Sequence, residues 1–290
     1  MFVSGFTFVR NAIKFDYPVV EAILSVLPLC NEFVVAVGNS EDATRELIES
    51  IDSPKIRIID TIWDDSLREG GKVLANETNK AFRELNPDAD WCFYIQGDEV
   101  MHEKYLETVK QAMIQHKDDP KADGLLFHYK HFYGSYDYVG ESPRWYRREV
   151  RVIRRNPEIY SFGDAQGFRK GDKKLLSVKK VNAFIYHYGW VKPPHAMQLK
   201  QETFHKLWHD DQWMEKNVAK AEEFDYSNIS LLGQFTETHP GVMLQRIKRV
   251  NWKFDFDVSI KRYTLKERFK LFFEKHTGWR PGEYKDFRII

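Results

Sequence analysis

Over the first 128 residues, apolar positions alternate between two rhythms. Residues 2–10, 33–37, 55–60, 91–95 and 124–128 are short apolar or alternating runs, the pattern of strands. The segments between them repeat at helical spacing. In residues 17–27, Val20, Ile23, Leu24 and Leu27 share one face. Residues 42–51 follow a Ser-Glu-Asp start signal at Ser40. In residues 71–85, Val73, Leu74, Thr78, Ala81, Phe82 and Leu85 face inward, and Asn86-Pro87 ends the run. Residues 103–116 supply a fourth helix. Strands alternating with helices predict an α/β fold: a mostly parallel central sheet flanked by helices, with ligands at the carboxyl ends of its strands.

Beyond residue 128 the rhythm changes. Aromatic residues and arginines crowd residues 128–155, with strands expected at 149–154 and 178–188. From His195 the pattern turns helical, at 197–208, 212–224 and 265–275. This divides the chain into a catalytic-type domain, 1–192, and a mainly helical C-terminal extension, 193–290.

Charge sharpens the division. The net charge is +1, yet residues 1–125 carry 13 Lys/Arg against 23 Asp/Glu, whereas residues 126–290 carry 31 against 20. A basic half suits an anionic partner, or it simply neutralises the acidic half on folding. Cys30 and Cys92 lie in or beside apolar runs, so they are expected as buried thiols rather than a disulfide framework or zinc site. The N-terminus lacks a signal-peptide pattern, and no apolar run approaches the roughly 18 residues of a membrane span. A cytoplasmic protein is therefore expected, with peripheral contact at the inner face of a membrane left open.

The sharpest chemical signal is Tyr94-Ile95-Gln96-Gly97-Asp98-Glu99, a buried strand ending in two acids. A carboxylate at that edge either reaches a divalent cation or caps the helix that follows. Gly70-Gly71-Lys72 opens a helix, where free amides and a lysine suit a phosphate, or else form a solvated loop. Asp164, in Tyr160-Ser161-Phe162-Gly163-Asp164-Ala165, reads as a general base or a turn residue. His187, in Phe184-Ile185-Tyr186-His187-Tyr188-Gly189-Trp190, reads as a metal ligand at a strand end or a satisfied core histidine. In Arg144-Trp145-Tyr146-Arg147-Arg148, flat rings suit sugars and arginines suit phosphates; a solvated strand flank is the bland alternative. No nucleic-acid module is visible, so no nucleic-acid partner is expected. Residues 264–276 are basic and amphipathic, a membrane-surface helix or one packed on its own core.

In order, these features resemble the family 2 glycosyltransferases of the GT-A fold. Arg10-Asn11 matches the family's first loop, Tyr17-Pro18 through Leu27 its first helix, and Asn39-Ser40-Glu41-Asp42-Ala43-Thr44 its Gly-Ser-x-Asp-Gly-Thr turn. Gln96-Gly97-Asp98 falls on its Asp-x-Asp metal motif. The match is good over about 130 residues, loose over the next 60, and absent from the last 100. The resemblance implies a metal-dependent, inverting hexosyltransferase of polysaccharide biosynthesis. Its donor is a nucleoside diphosphate sugar and its acceptor a glycan or lipid-linked saccharide. It implies manganese or magnesium on Asp98 and His187, and Asp164 as base. Donor contacts are implied from Arg10, Asn11, Asn39, Asp42, Asp64, Lys72, Gln96, Gly97 and Asp98, and acceptor contacts from Trp145, Tyr146 and Trp190. Two departures stand out: Gln96 replaces the first metal-motif acid, with Glu99 as a candidate substitute, and Val37-Gly38 replace the acid expected near the nucleoside, leaving Asp64 or Asp65 to share that role. A sugar nucleotidyltransferase and a non-catalytic binding protein on the same core are the alternatives.

Overall fold

The computed structural model describes residues 1–67, 70–209, 211–217, 221–227, 229, 231–259 and 263–290. Strands and helices alternate as expected in β1 (Val3–Val9), α1 (Val19–Val26), β2 (Glu32–Gly38), α2 (Thr44–Glu49), β3 (Ile56–Thr61), α3 (Lys72–Arg83) and β4 (Trp91–Tyr94). These four strands pair in parallel in the order β3-β2-β1-β4. Period-two alternation sends Phe33, Val35 and Val37 to one face, under α1, and Val34 and Ala36 to the other, under α3. Cys30 and Cys92 are buried free thiols in these two different clusters.

The remaining elements are β5 (Glu99–Met101), α4 (Leu106–Gln115), β6 (Gly124–Tyr133), β7 (Ser135–Gly140), β8 (Arg148–Arg154), β9 (Ile159–Phe162), β10 (Gly167–Lys170), β11 (Lys174–Trp190), α5 (Pro194–Lys206), α6 (Asp211–Asn217), β12 (Leu232–Gln234), α7 (Leu244–Lys248), α8 (Leu265–Thr277) and β13 (Phe287–Ile289). The sheet continues through β4-β8-β6-β11-β10-β9; β8 is antiparallel to both its neighbours, and β6 and β11 are parallel. Of the helix expected at 212–224, α6 covers the first part, and residues 218–220 lie outside the described residues. The extension is also less purely helical than its pattern suggests. Its β12 pairs with β7 and its β13 with β11, which stitches it into the main sheet.

At the centre of the sheet Glu99 and Arg151 are fully buried together. Arg151 Nε donates to Glu99 Oε2 at 2.8 Å and its Nη2 to Oε1 at 2.7 Å. The Tyr129 hydroxyl and the Gln96 backbone N–H also donate to this carboxylate, at 2.8 and 3.1 Å. Every oxygen is thus satisfied without water, which a buried charge requires. Helix capping by the Asp98-Glu99 pair is ruled out as well: both precede or begin β5, and the next helical turn is capped by His102.

Breaking a buried pair by removing one partner strands the other charge and costs about 3–5 kcal/mol. Arg151→Met and Glu99→Gln are each expected to lower the denaturant midpoint markedly. The double variant is expected to recover part of the loss, as a double-mutant cycle on urea unfolding would read directly.

Candidate active site

A cleft of about 770 Å³ opens at the carboxyl ends of β1 and β4 and is walled on one side by α5. Asp98 lies on its floor, in the tight turn joining β4 to β5. Lys200 Nζ, on α5, donates to Asp98 Oδ2 at 3.2 Å and to the Gly189 carbonyl at 3.0 Å. Lys200 foremost, with Lys192, overcomes the cost of burial and holds the Asp98 carboxyl far below the usual carboxylate range.

His187 lies inside the long strand β11 rather than at its end, just before a register shift between His187 and Trp190. Its protonation follows from its partners. The Tyr146 carbonyl, 2.8 Å from His131 Nε2, can only accept, so that nitrogen carries hydrogen. Burial lowers the pKa of both imidazoles, keeping them neutral, so His131 Nδ1 is a bare acceptor. His187 Nδ1, 3.1 Å away, therefore carries its own hydrogen and donates it to His131. That leaves the His187 Nε2 lone pair aimed at Asp98 Oδ1 across 3.7 Å. Two ligands about 2.1 Å from one ion sit roughly 3–4 Å apart, so this pair fits a single divalent cation. Gly189 keeps the corner open: a Cβ there would lie 2.7 Å from His187 Nε2 and 2.8 Å from Asp98 Oδ2. Among the described residues no three His, Cys, Asp or Glu side chains converge, so an ion here would take its other ligands from substrate or water. Glu99 does not substitute for the missing first acid of the motif, because Arg151 occupies it. Gln96, at that position, instead donates to the Ala165 carbonyl at 3.2 Å and ties the strand end to the Asp164 loop.

Asp164 faces the same cleft, and burial raises its carboxyl above its usual range. Its loop is pinned from below, where Arg151 Nη1 donates to the Gln166 carbonyl at 3.0 Å. Gly71, at φ +68°, makes room from the side: a Cβ there would lie 2.9 Å from the Asp164 Cβ. Asn11, Asp16 and Ala165, all in loops at this edge of the sheet, hold positive φ without being glycine, a strain that the surrounding contacts must over-determine.

Arg10, Asn11, Gln96, Gly97, Asp98, Tyr146, Asp164, His187 and Trp190 all line the cleft. Five other expected site residues do not. Asn39 Oδ1 accepts from the Trp63 amide at 3.1 Å, and Asp42 accepts from the Lys14 amide at 2.7 Å and the Thr44 amide at 3.1 Å, so both tie neighbouring loops together. Asp64 closes a local turn on Ser66, whereas its neighbour Asp65 lines the cleft and pairs with Arg10 at 2.7 Å. Lys72 is exposed outside the cleft at the start of α3, and the Gly71 amide there donates to the Leu207 carbonyl at 3.3 Å. Trp145 stacks behind His131, ring centroids 5.0 Å apart, as support rather than surface. Arg147 is likewise committed to Glu274 and Glu283.

The sequence reading missed Lys200, His131, Trp63 and Lys192. Lys192 is fully buried, donates to the Asp16 carbonyl at 2.9 Å and lies 4.2 Å from the Tyr17 ring centroid. Trp63 covers Gly38 at the end of β2, with the Arg10 guanidinium 5.5 Å over its ring. The absence of an acid at Val37-Gly38 was the one signal that something else fills that place.

No protein-family model and no curated protein matches the sequence. Among solved structures the chain is similar to S. aureus TarS 1–349 in complex with UDP, at TM-score 0.38 and 14% identity over 77% of this chain and 68% of that one. It is also similar to glucosyl-3-phosphoglycerate synthase from Mycobacterium tuberculosis in complex with Mn2+, UDP and phosphoglyceric acid, at TM-score 0.29 and 19% identity over 46% and 43%. A third likeness is to the galactosyltransferase LgtC with donor and acceptor sugar analogs, at TM-score 0.29 and 14% identity over 43% and 45%.

Behind the Asp164 loop, burial pushes the Glu149 carboxyl up to about 8 from its ordinary 4.5; Gln166 donates to Oε1 at 2.8 Å, and Oε2 is buried with no partner. The folded chain thus keeps a proton that the unfolded chain releases. That contribution to stability is complete below about pH 4.5 and is lost as pH rises through about 8. Measured across this window, the unfolding free energy of Glu149→Gln relative to wild type is expected to rise with pH, because only the wild type loses this contribution.

Proposed function

We propose that this chain transfers a sugar from a nucleoside diphosphate sugar to an acceptor hydroxyl on a glycan or lipid-linked saccharide, with inversion, using manganese or magnesium between Asp98 and His187. The observation that carries the reading is the placement of two ligand atoms, Asp98 Oδ1 and His187 Nε2, facing each other across 3.7 Å beside a lysine ammonium. The resemblance of Gln96-Gly97-Asp98 and its flanks to the family 2 pattern supports the same reading.

The bound cation supplies charge neutralisation for a diphosphate leaving group. Lys200 adds a second positive charge at that place, with one ammonium hydrogen beyond those given to Asp98 and the Gly189 carbonyl. Arg10 and Asp65 are set for the nucleoside end, where Asp65 can accept from ribose hydroxyls and the Trp63 ring offers a stacking face. Tyr146 and Trp190 present aromatic faces to the sugars. Asp164 accepts the acceptor hydroxyl's proton while the acceptor oxygen bonds to the anomeric carbon. The bond from that carbon to the diphosphate breaks and the electron pair leaves with the diphosphate. A single displacement of this kind inverts the anomeric centre.

Asp98→Asn is expected to abolish transfer and the manganese-dependent part of UDP binding, measured by titration calorimetry. Unchanged metal-dependent binding would remove Asp98 from the site. Pyrophosphate release from a nucleoside triphosphate and a sugar phosphate would instead identify a nucleotidyltransferase. Asp164→Asn is expected to lower kcat by about 100- to 10,000-fold while sparing donor affinity. Because a base must be deprotonated and burial raises this carboxyl, wild-type activity is expected to climb with pH along an acid limb above the ordinary aspartate range. Transfer by Asp164→Asn at near the wild-type rate would reduce Asp164 to a turn residue.

A further inference from the structure

Helix α8 is attached to the protein the wrong way round. A surface helix ordinarily buries its apolar stripe and shows water its charges. Here the acids face the body. Glu267 accepts from the Ser142 hydroxyl at 3.0 Å, and Glu274 accepts from Arg147 at 2.8 Å and from Arg280 at 2.6 Å. Arg280 in turn donates to the Trp145 carbonyl at 2.7 Å, which locks the helix to the 142–147 loop. No residue of α8 is buried. Its opposite face is apolar and open: Leu265 is 85% exposed, Phe269 57% and Phe272 59%, and Trp279, just past the helix end, is 55% exposed. Positions 265, 269 and 272 fall within one narrow stripe at helical spacing. Exposed basic residues border the stripe, Arg268 and Lys275 on one side and Lys266 on the other. The acids that would balance them are paired inward, so the outward face is apolar at its centre and cationic at both rims.

From this arrangement we infer that the outward face of α8, with Trp279, docks on the surface of a bilayer containing anionic lipid. Charge complementarity selects that occupant. Rings and leucine enter the acyl boundary, the flanking cations meet anionic headgroups, and tryptophan prefers the interface. No helix of the described residues is long and apolar enough to cross a membrane, so the contact is peripheral. The polar anchoring of α8 to the 142–147 loop leaves its apolar face in place before any membrane arrives, so no ordering of the helix is needed at docking. The inference is independent of the chemistry proposed for the cleft.

The test is co-sedimentation of the full chain with phosphatidylcholine vesicles, with and without added phosphatidylglycerol. The variants are Phe269→Ser with Phe272→Ser, and Lys266→Glu with Arg268→Glu and Lys275→Glu. All five side chains are solvent-exposed, so thermal midpoints should stay near wild type. Wild type is expected to bind only the vesicles containing phosphatidylglycerol, and less as salt rises. Reversing three charges should weaken binding on the order of 100-fold, and the serine pair should lose most of it. Failure of wild type to bind those vesicles overturns the inference, as does binding that neither variant reduces. A wild-type dimer in sedimentation equilibrium that the serine pair dissolves also overturns it, because the face would then belong to a second copy of the chain.

Discussion

The buried pair of Glu99 and Arg151 sits where three parts of the site meet. Glu99 begins β5, directly after the turn carrying Gln96, Gly97 and Asp98, and its carboxylate holds the Gln96 amide. Arg151 reaches from β8 to the Gln166 carbonyl and so fixes the loop bearing Asp164. Tyr129, on β6, completes the carboxylate's shell. Three strands and two loops are thereby registered against one ion pair whose parts cannot move without exposing a bare charge to a dry interior. The positions of Asp98 and Asp164 relative to each other depend on it, and geometry at this scale decides whether a leaving group and a base can act on the same carbon.

Around that fixed centre the electrostatics are graded. Asp98 stays ionised although buried because Lys200 and Lys192 lie beside it. The two imidazoles stay neutral because burial outweighs the nearby carboxylate, and their relay ends on a backbone carbonyl that fixes which nitrogen is bare. Asp164, with no such cationic shell, is pushed the other way. Two carboxyls in one cleft are thus driven apart in acidity, the condition for one to serve a cation while the other exchanges a proton.

Much of the core was legible in the sequence because periodicity is a local property. The alternation of Phe33 to Val37 and the helical spacing in residues 71–85 announced the parallel half of the sheet and its two faces. The rest of the sheet was legible only in part: β6, β8 and β11 were expected from their patterns, whereas β5, β9, β10, β12 and β13 are three or four residues each, too short to carry a period. At the site, Asp98, His187 and Asp164 were found because each sits in a distinctive short motif, and the structure brings all three to one cleft. Glu99 was misjudged because the residue that claims it lies 52 positions away. Lys200 was missed for the same reason, 102 positions from Asp98 on a helix with no local mark of function. Asn39 and Asp42 misled in another way: short polar side chains that suit a ligand also suit backbone amides, and here the Trp63 amide takes Asn39 and the Lys14 and Thr44 amides take Asp42.

The most direct test is a crystal structure with a nucleoside diphosphate and manganese, collected at the metal's absorption edge. The expected result is one anomalous peak about 2.2 Å from both Asp98 Oδ1 and His187 Nε2, with a phosphate oxygen on the ion and another on Lys200. A nucleotide bound elsewhere, or bound in the cleft with no metal between Asp98 and His187, would contradict it.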